Sequence, residues 1–398
     1  SNCCLVRAPT STPAGSPFLN IINEGIDLIP YLAAISLFIM CSYTPAGLVT
    51  GEKKVNSLKG IEVPTNYTID KNAIEIPESI IFIISDGTGI GQYTLQYYTS
   101  EDFAPARFDH VGLVTTHPKD GQKKVTDSAA SGTALSAGIK TYNGAIAVDT
   151  EKKPVKTMLE VAEDKGMSTG LVATSTISHA TPASFGAHID YRKKEDEISQ
   201  QLADSEIDVL FGGGSKYWQE NLFDQVRENG GQVVSDINEP MNSNSRVVGL
   251  FHEEGLTPVY KGREVQTVEM AKKAIDLLDD NSNGFFLMIE ESQVDWGGHA
   301  NSAEYIQGEM RSLNQVVNYC LDYQEKHPNV LVVLTSDHET GGTIVHDGDD
   351  GILDIEFAIS HHSASIVPIW ATGPGAEVFD GFMDNTEIGK ALMGYLKK

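Results

Sequence analysis

The chain has 398 residues and carries 55 Asp+Glu against 29 Lys+Arg, a formal net charge of −26. That balance excludes a protein whose main task is binding nucleic acid or anionic lipid through a basic face. An apolar content of 40% with 21% charged residues excludes wholesale disorder, and four cysteines in this length exclude a disulfide scaffold.

Cys3 and Cys4 are adjacent near the start, and residues 28–40 form the apolar run LIPYLAAISLFIM. The run is shorter than a membrane span and fits the apolar region of a signal peptide. Cys41 follows it, so residues 1–41 read as a signal or lipoprotein-like segment with Cys41 as the candidate point of lipid attachment. Phe38, Ile39 and Met40 occupy positions where small residues precede a lipidated cysteine, which favours a cleaved signal over an anchor. The expectation is an exported protein, periplasmic or extracellular. Residues 42–77 are rich in Thr, Gly, Pro, Asn and Lys and read as a linker; they include the glycosylation triplet Asn66-Tyr67-Thr68.

From residue 78 to 398 the chain alternates short β-branched runs with helical patterns. Strands are predicted at Ile80–Ile84, Thr169–Ala173, Val209–Phe211, Phe285–Ile289, Val330–Leu334 and Ile366–Ala371. Helices are predicted at Val155–Asp164, stopped by Gly166, at Val265–Leu278, and at Ser302–Lys326 before Pro328. Residues 212–262 are Gly-, Asn- and Glu-rich with weak periodicity and read as an irregular insertion. The alternation predicts an α/β fold with a mainly parallel sheet covered by helices on both faces.

In such sheets ligands bind at the carboxyl ends of the strands. There the sequence places Asp86, His179 and Thr181, then Glu290, Glu291, Asp295 and His299, and finally Asp337 and His338. Any one carboxylate could cap the following helix. Four strands delivering Asp, Thr, Glu and Asp-His to one edge point instead to a divalent-metal site, with imidazole suiting zinc and hydroxyl-carboxylate sets suiting magnesium. Ser128 opens the small-residue stretch Ser128-Ala129-Ala130-Ser131-Gly132. It reads either as a helix cap or as a nucleophile activated by metal and by the helix N-terminal field. The small residues after it would let a metal cluster or substrate come close.

VTDSAASGTA, with ISDGTG before it and TSDHETGG after it, resembles the alkaline phosphatases, and SHATPASFGAH, IEESQVDWGGHAN and HHSASIVPIWATGPGAEVF complete the pattern in family order. The resemblance is greatest to the marine and cold-adapted bacterial branch. It implies an alkaline phosphatase-like fold and hydrolysis of small phosphate monoesters through a phosphoserine on Ser128. It also implies two Zn2+ and one Mg2+. One zinc would be held by Asp295, His299 and His362, with His362 preferred to His361 by its spacing to Gly373-Pro374. The second would be held by Asp86, Asp337 and His338, and magnesium by Asp86, Thr181 and Glu290. Arg192 would clamp the phosphate, and Asp127 would orient that arginine. His179 and Trp296 stand where the enteric-bacterial enzyme has Asp and Lys, which implies weaker retention of phosphate. A homodimer is the family expectation. The alternatives are a phosphodiesterase or related ester hydrolase of the same superfamily, disfavoured by Thr181, Glu290 and Arg192 together, and a non-catalytic metal-binding surface lipoprotein, disfavoured by Ser128 and Arg192.

Overall fold

A computed structural model describes residues 75–397. The cysteines at positions 3, 4 and 41, the 28–40 run, the glycosylation triplet and the linker up to residue 74 lie outside the described residues. Among the described residues no helix is long and apolar enough to cross a membrane.

In chain order the strands are β1 (Ser79–Ser85), β2 (His110–Thr115), β3 (Ser168–Thr176), β4 (Val209–Gly213), β5 (Gln232–Val234) and β6 (Val247–Leu250). There follow β7 (Phe285–Glu291), β8 (Val330–Thr335), β9 (Glu339–Thr340), β10 (Thr343–Asp347) and β11 (Leu353–Phe357). The last are β12 (His362–Ser363), β13 (Val367–Thr372) and β14 (Gly381–Asp384). Ten of them form one sheet in the order β14-β2-β13-β8-β1-β7-β3-β4-β6-β5. Pairing is parallel throughout except at β13, which is antiparallel to both β2 and β8.

A strand in the middle of such a sheet is covered on both faces, so it needs apolar residues at consecutive positions. All seven positions of β1, SIIFIIS, are buried. Ile80, Phe82 and Ile84 enter one core cluster, while Ile81 and Ile83 enter the other on the opposite face. The Thr267–Leu278 helix buries Met270, Ala271, Ala274, Ile275 and Leu278. Ser302 caps the Ala303–Lys326 helix by accepting from the Tyr305 amide.

Two expectations are adjusted by local chemistry. The helix expected from Val155 begins at Met158, because Thr157 and Glu160 form a reciprocal capping box that fixes its start. Its end agrees with the glycine stop: Gly166 has φ +67°, in the left-handed region. Within 212–262, read as irregular, the structure contains the Glu220–Glu228 helix and the strands β5 and β6, which extend the main sheet beside β4. These strands, QVV and VVGL, are too short for alternation to register in the sequence.

The parallel strands end at a common edge, and that edge carries the polar chemistry. Strand β13 runs the other way, so the segment preceding it reaches the same edge, and this segment contains His362. A rule that looks only after each apolar run does not find that histidine.

Away from this edge, Glu163 sits in a cleft of about 300 Å³ with Glu160, Asp204, Glu206 and His188. Burial, reinforced by Glu160 and Glu206, pushes its carboxyl up to about 7. An acid with a raised folded pKa stabilises the fold while protonated, and the contribution is lost as pH rises from the unfolded value through about 7. Glu163→Gln should therefore raise the melting temperature at pH 8 by roughly 2 °C, a figure discounted for the carboxyl's solvent contact, and leave it unchanged at pH 4. Thermal melts at the two pH values check this; an equal shift at both would refute it.

Candidate active site

Strand β1 ends in Ser85 and delivers Asp86 into the turn Asp86-Gly87-Thr88. The turn is clamped from the neighbouring strand: Gly87 N donates to Asp337 Oδ1 at 3.1 Å and Thr88 N donates to Ser336 Oγ at 3.0 Å. Gly87 has φ +71°, and a Cβ there would lie 2.5 Å from the Asp295 Cα. Glycine thus lets the Asp86 turn press against the Gln293–His299 helix that carries Asp295.

Three sets of side chains bring ligand atoms within 4.8 Å of one another: Asp295, His299 and His362; Asp86, Asp337 and His338; and Asp86, His179 and Glu290. In the first set, His299 Nδ1 lies 2.9 Å from the Ser360 carbonyl and His362 Nδ1 lies 3.0 Å from the Thr126 carbonyl. A carbonyl can only accept, so each Nδ1 carries a proton, and in the neutral ring each Nε2 presents its lone pair to the site. Those two Nε2 atoms face each other at 3.2 Å, and each also faces Asp295, at 3.4 and 3.5 Å. In the second set His338 Nε2 lies 3.2 Å from Asp337 Oδ2 and 3.6 Å from Asp86 Oδ1. The His338 and His362 rings stack at 3.6 Å, which sets the first two groups side by side.

The donor chemistry fits divalent cations. Both oxygens of Asp86, one each of Glu290 and Asp337, and the Thr181 hydroxyl are buried without hydrogen-bond partners among the described residues. Burial and the nearby charges of Asp337, Asp295 and Glu290 hold the Asp86 carboxyl well above the usual range. Burial likewise lifts Glu290 to about 7 and Asp337 to about 6. Burial, followed by the Arg192 cation, lowers His179 to about 3, so its ring is neutral. Orphaned carboxylates and neutral imidazoles packed together are costly unless cations join them.

Ser128 is the first residue of the Ser128–Ala137 helix and is almost fully buried. Its Oγ lies 3.3 Å from His338 Nε2 and 3.5 Å from Arg192 Nη1. Asp127, not Ser128, is the N-cap. Its Oδ1 accepts from the amides of Ala130 and Gly144, and its Oδ2 accepts from Arg192 Nη1 at 3.1 Å. With the cap supplied by its neighbour, the Ser128 hydroxyl is free for other work. Arg192 Nη2 meets His179 Nε2 at 3.2 Å, so the guanidinium is held from two sides.

The structure therefore brings together Ser128, Asp127, Arg192, Asp86, Thr181, Glu290, Asp295, His299, Asp337, His338, His362 and His179. Trp296 borders them, with its ring edge-on to His179 at 6.2 Å between centroids. Three points differ from the sequence reading. His179, which the resemblance leaves out of the three ligand sets, has a ring nitrogen within 4.8 Å of ligand oxygens of Asp86 and Glu290. The small residues after Ser128 serve helix packing: every residue of that helix is buried, and a Cβ on Gly132 would meet Ser184 Oγ at 2.9 Å. Finally, Thr340 and Glu339 support the site although no motif in the sequence marks them. Thr340 Oγ1 donates to Asp295, while Glu339 accepts from Gln92 and Ser363 and so fixes the strand pair β9–β12 that carries His362. Their signal was only their position after Asp337-His338.

The cation requirement predicts opposite effects of one substitution. In chelator at pH 8, Asp86→Asn should melt higher than the parent, because it removes a charge repelled by Asp337, Asp295 and Glu290. Adding zinc and magnesium should raise the melting temperature of the parent by several degrees and of the variant by less. A parent indifferent to the ions would overturn the assignment.

Comparison with known proteins identifies the family and the fold. The family model described as alkaline phosphatase matches residues 78–356. Alkaline phosphatase 3 of Bacillus subtilis is 35% identical over 80% of this chain and 89% of its own length. The alkaline phosphatase of the Antarctic bacterium TAB5 superposes with a TM-score of 0.77 at 33% identity, covering 82% of this chain and 99% of that one. A variant of the TAB5 enzyme has been solved with magnesium bound in a site designated M3. The cold-active alkaline phosphatase of a psychrophilic Shewanella gives a TM-score of 0.75 at 29% identity, covering 80% of this chain and all of that one.

Proposed function

This chain belongs to the alkaline phosphatase family, and on that premise we propose that it hydrolyses phosphate monoesters through a phosphoserine on Ser128, with two zinc ions and one magnesium ion. The observation that carries the reading is the position of Ser128 Oγ, between His338 Nε2 and the Arg192 guanidinium, at a helix N-terminus. Asp295, His299 and His362 would hold one zinc ion. Asp86, Asp337 and His338 would hold the other. Asp86, Thr181 and Glu290 would hold magnesium, with His179 adjoining and Asp86 shared. When bound, the ions supply positive charge that favours the ionised serine and both the entering and the leaving oxygens of the displacement.

The chain's own residues divide the remaining work. Ser128 Oγ loses its proton and bonds to phosphorus as the bond to the alcohol oxygen breaks, so the alcohol leaves and phosphoserine forms. Water then attacks the same phosphorus, the bond to Oγ breaks, and inorganic phosphate is released. Arg192 offers a planar fork that matches two phosphate oxygens. Asp127 on one side and His179 on the other hold that fork, so little side-chain entropy is lost when phosphate arrives. The 28–40 run supports the further proposal that the enzyme acts after export.

Ser128→Ala should abolish trapping of labelled phosphoenzyme and lower kcat by about a thousandfold or more, because the chemistry is then left to water and the remaining groups. Normal covalent labelling in that variant would remove Ser128 from the mechanism. Trp296 offers no charge where a lysine would. A Cβ on Gly255 would lie 2.5 Å from its ring, so the indole is seated in a gap that glycine leaves. Trp296→Lys should tighten inhibition by inorganic phosphate about tenfold, equivalent to one pKa unit of added interaction. Looser inhibition than in the parent, measured as a higher Ki, would count against a charge-poor phosphate seat.

A further inference from the structure

Two cavities lie on either side of His179 and Glu195 near Arg192. One, of about 460 Å³, contains Asp127, Arg192 and exposed Tyr191; the other, of about 400 Å³, is lined by Trp296, Tyr217, Tyr305, Leu256 and Pro258. His179 and Glu195 belong to the walls of both, so the second cavity adjoins the first at these two side chains. A monoester whose phosphate is held at Arg192 thus has a place for its alcohol portion.

The chemistry of that place is specific. Three aromatic side chains, Trp296, Tyr217 and Tyr305, line it together with Leu256 and Pro258. Glu195 is held rigid, with Oε2 accepting from Thr176 Oγ1 at 2.6 Å and Ser178 Oγ at 2.9 Å. It has no ion-pair partner among the described residues, whereas the other wall carboxylate, Glu254, is paired with Lys216. That Lys216 Nζ also stands 4.6 Å from the centre of the Tyr217 ring, so this ring already receives an ammonium. Lys193 and Arg192 share the first cavity with Glu195, but the second has Glu195 as its carboxylate without a close ion pair, and aromatic walls with such a carboxylate attract a poorly hydrated cation and repel an anion.

We propose that this second cavity is a subsite for the alcohol portion of the substrate, selecting phosphate monoesters of cationic amino alcohols whose ammonium head lies among the aromatic walls facing Glu195. The inference rests on the monoesterase reading and narrows it to a substrate class. The cleft would then be polarised, with Arg192 and the metal ligands at the phosphate end and Glu195 at the other.

The test compares kcat/KM for phosphocholine with that for 3,3-dimethylbutyl phosphate, its uncharged isostere of nearly equal size, in the zinc- and magnesium-loaded full chain. The parent should prefer phosphocholine about tenfold, an amount in keeping with desolvated cation–π contacts. Glu195→Gln keeps an acceptor oxygen for Thr176 and Ser178 but loses the charge, and Tyr217→Leu removes a π face. In each, the ratio of the two kcat/KM values should fall to within about twofold of unity. A parent that does not distinguish the two esters, or a ratio untouched by both substitutions, would overturn the subsite while leaving the phosphatase reading intact. Absence of turnover on both esters in the parent would instead overturn the phosphatase reading and this inference with it.

Discussion

The arrangement depends on mutual repulsion among carboxylates that the fold buries at one edge of its sheet. Burial makes Asp86, Glu290 and Asp337 costly to ionise, and neighbouring charge adds to it: Asp337, Asp295 and Glu290 act on Asp86, Asp337 on Glu290, and Asp295 on Asp337. A protein selected only for stability would not gather them, since an unpaired buried charge costs several kcal/mol even after relaxation. The cost is offset if cations complete the cluster. On this view binding of metal and stability of the active edge are a single equilibrium.

The surrounding structure can be understood as what is needed to hold that edge in place against the repulsion. Backbone amides of the Asp86 turn donate across to Asp337 and Ser336, so the carboxylates are fixed by their neighbours' main chain. Ser131, one helical turn after Ser128, donates to the Asp337 carbonyl at 2.7 Å and accepts from Asn385 at 2.9 Å. This pins the helix that carries Ser128 to the strand end that carries His338. The histidines of the first set are oriented by main-chain carbonyls on their far nitrogens, which fixes the tautomer before any ion arrives.

Much of this was legible in the sequence because each central strand is announced by an apolar run and followed directly by its polar residue. Ile80–Ile84 before Asp86, Phe285–Ile289 before Glu290 and Val330–Leu334 before Asp337 could all be placed on one edge by the rule for parallel sheets. His362 could not, because it precedes an antiparallel strand; it was assigned only through family resemblance. The roles of Asp127 and of the small residues after Ser128 were not legible either. A cap and a nucleophile have the same signature in Asp-Ser, and an Ala-Gly stretch looks alike whether it faces a ligand or another helix. Nor could spacing along the chain anticipate Glu195, which acquires its significance only from two cavities that share it as a wall.

The acidic balance of the chain takes on a more local meaning at the site. A net charge of −26 opposes the approach of any phosphate ester, so affinity has to arise where the sign is reversed. Arg192 provides one positive charge there, but its Nη1 is paired with Asp127 and contributes mainly geometry; the divalent ions would provide the rest. Reversal confined to so small a region leaves the adjoining cavity negative through Glu195. A substrate carrying phosphate at one end and a cation at the other matches that pattern, whereas a second anionic group would have to sit against a carboxylate that has no close ion pair. The surplus of acid that argues against polyanionic partners thus also disfavours anionic alcohols within the family of monoesters.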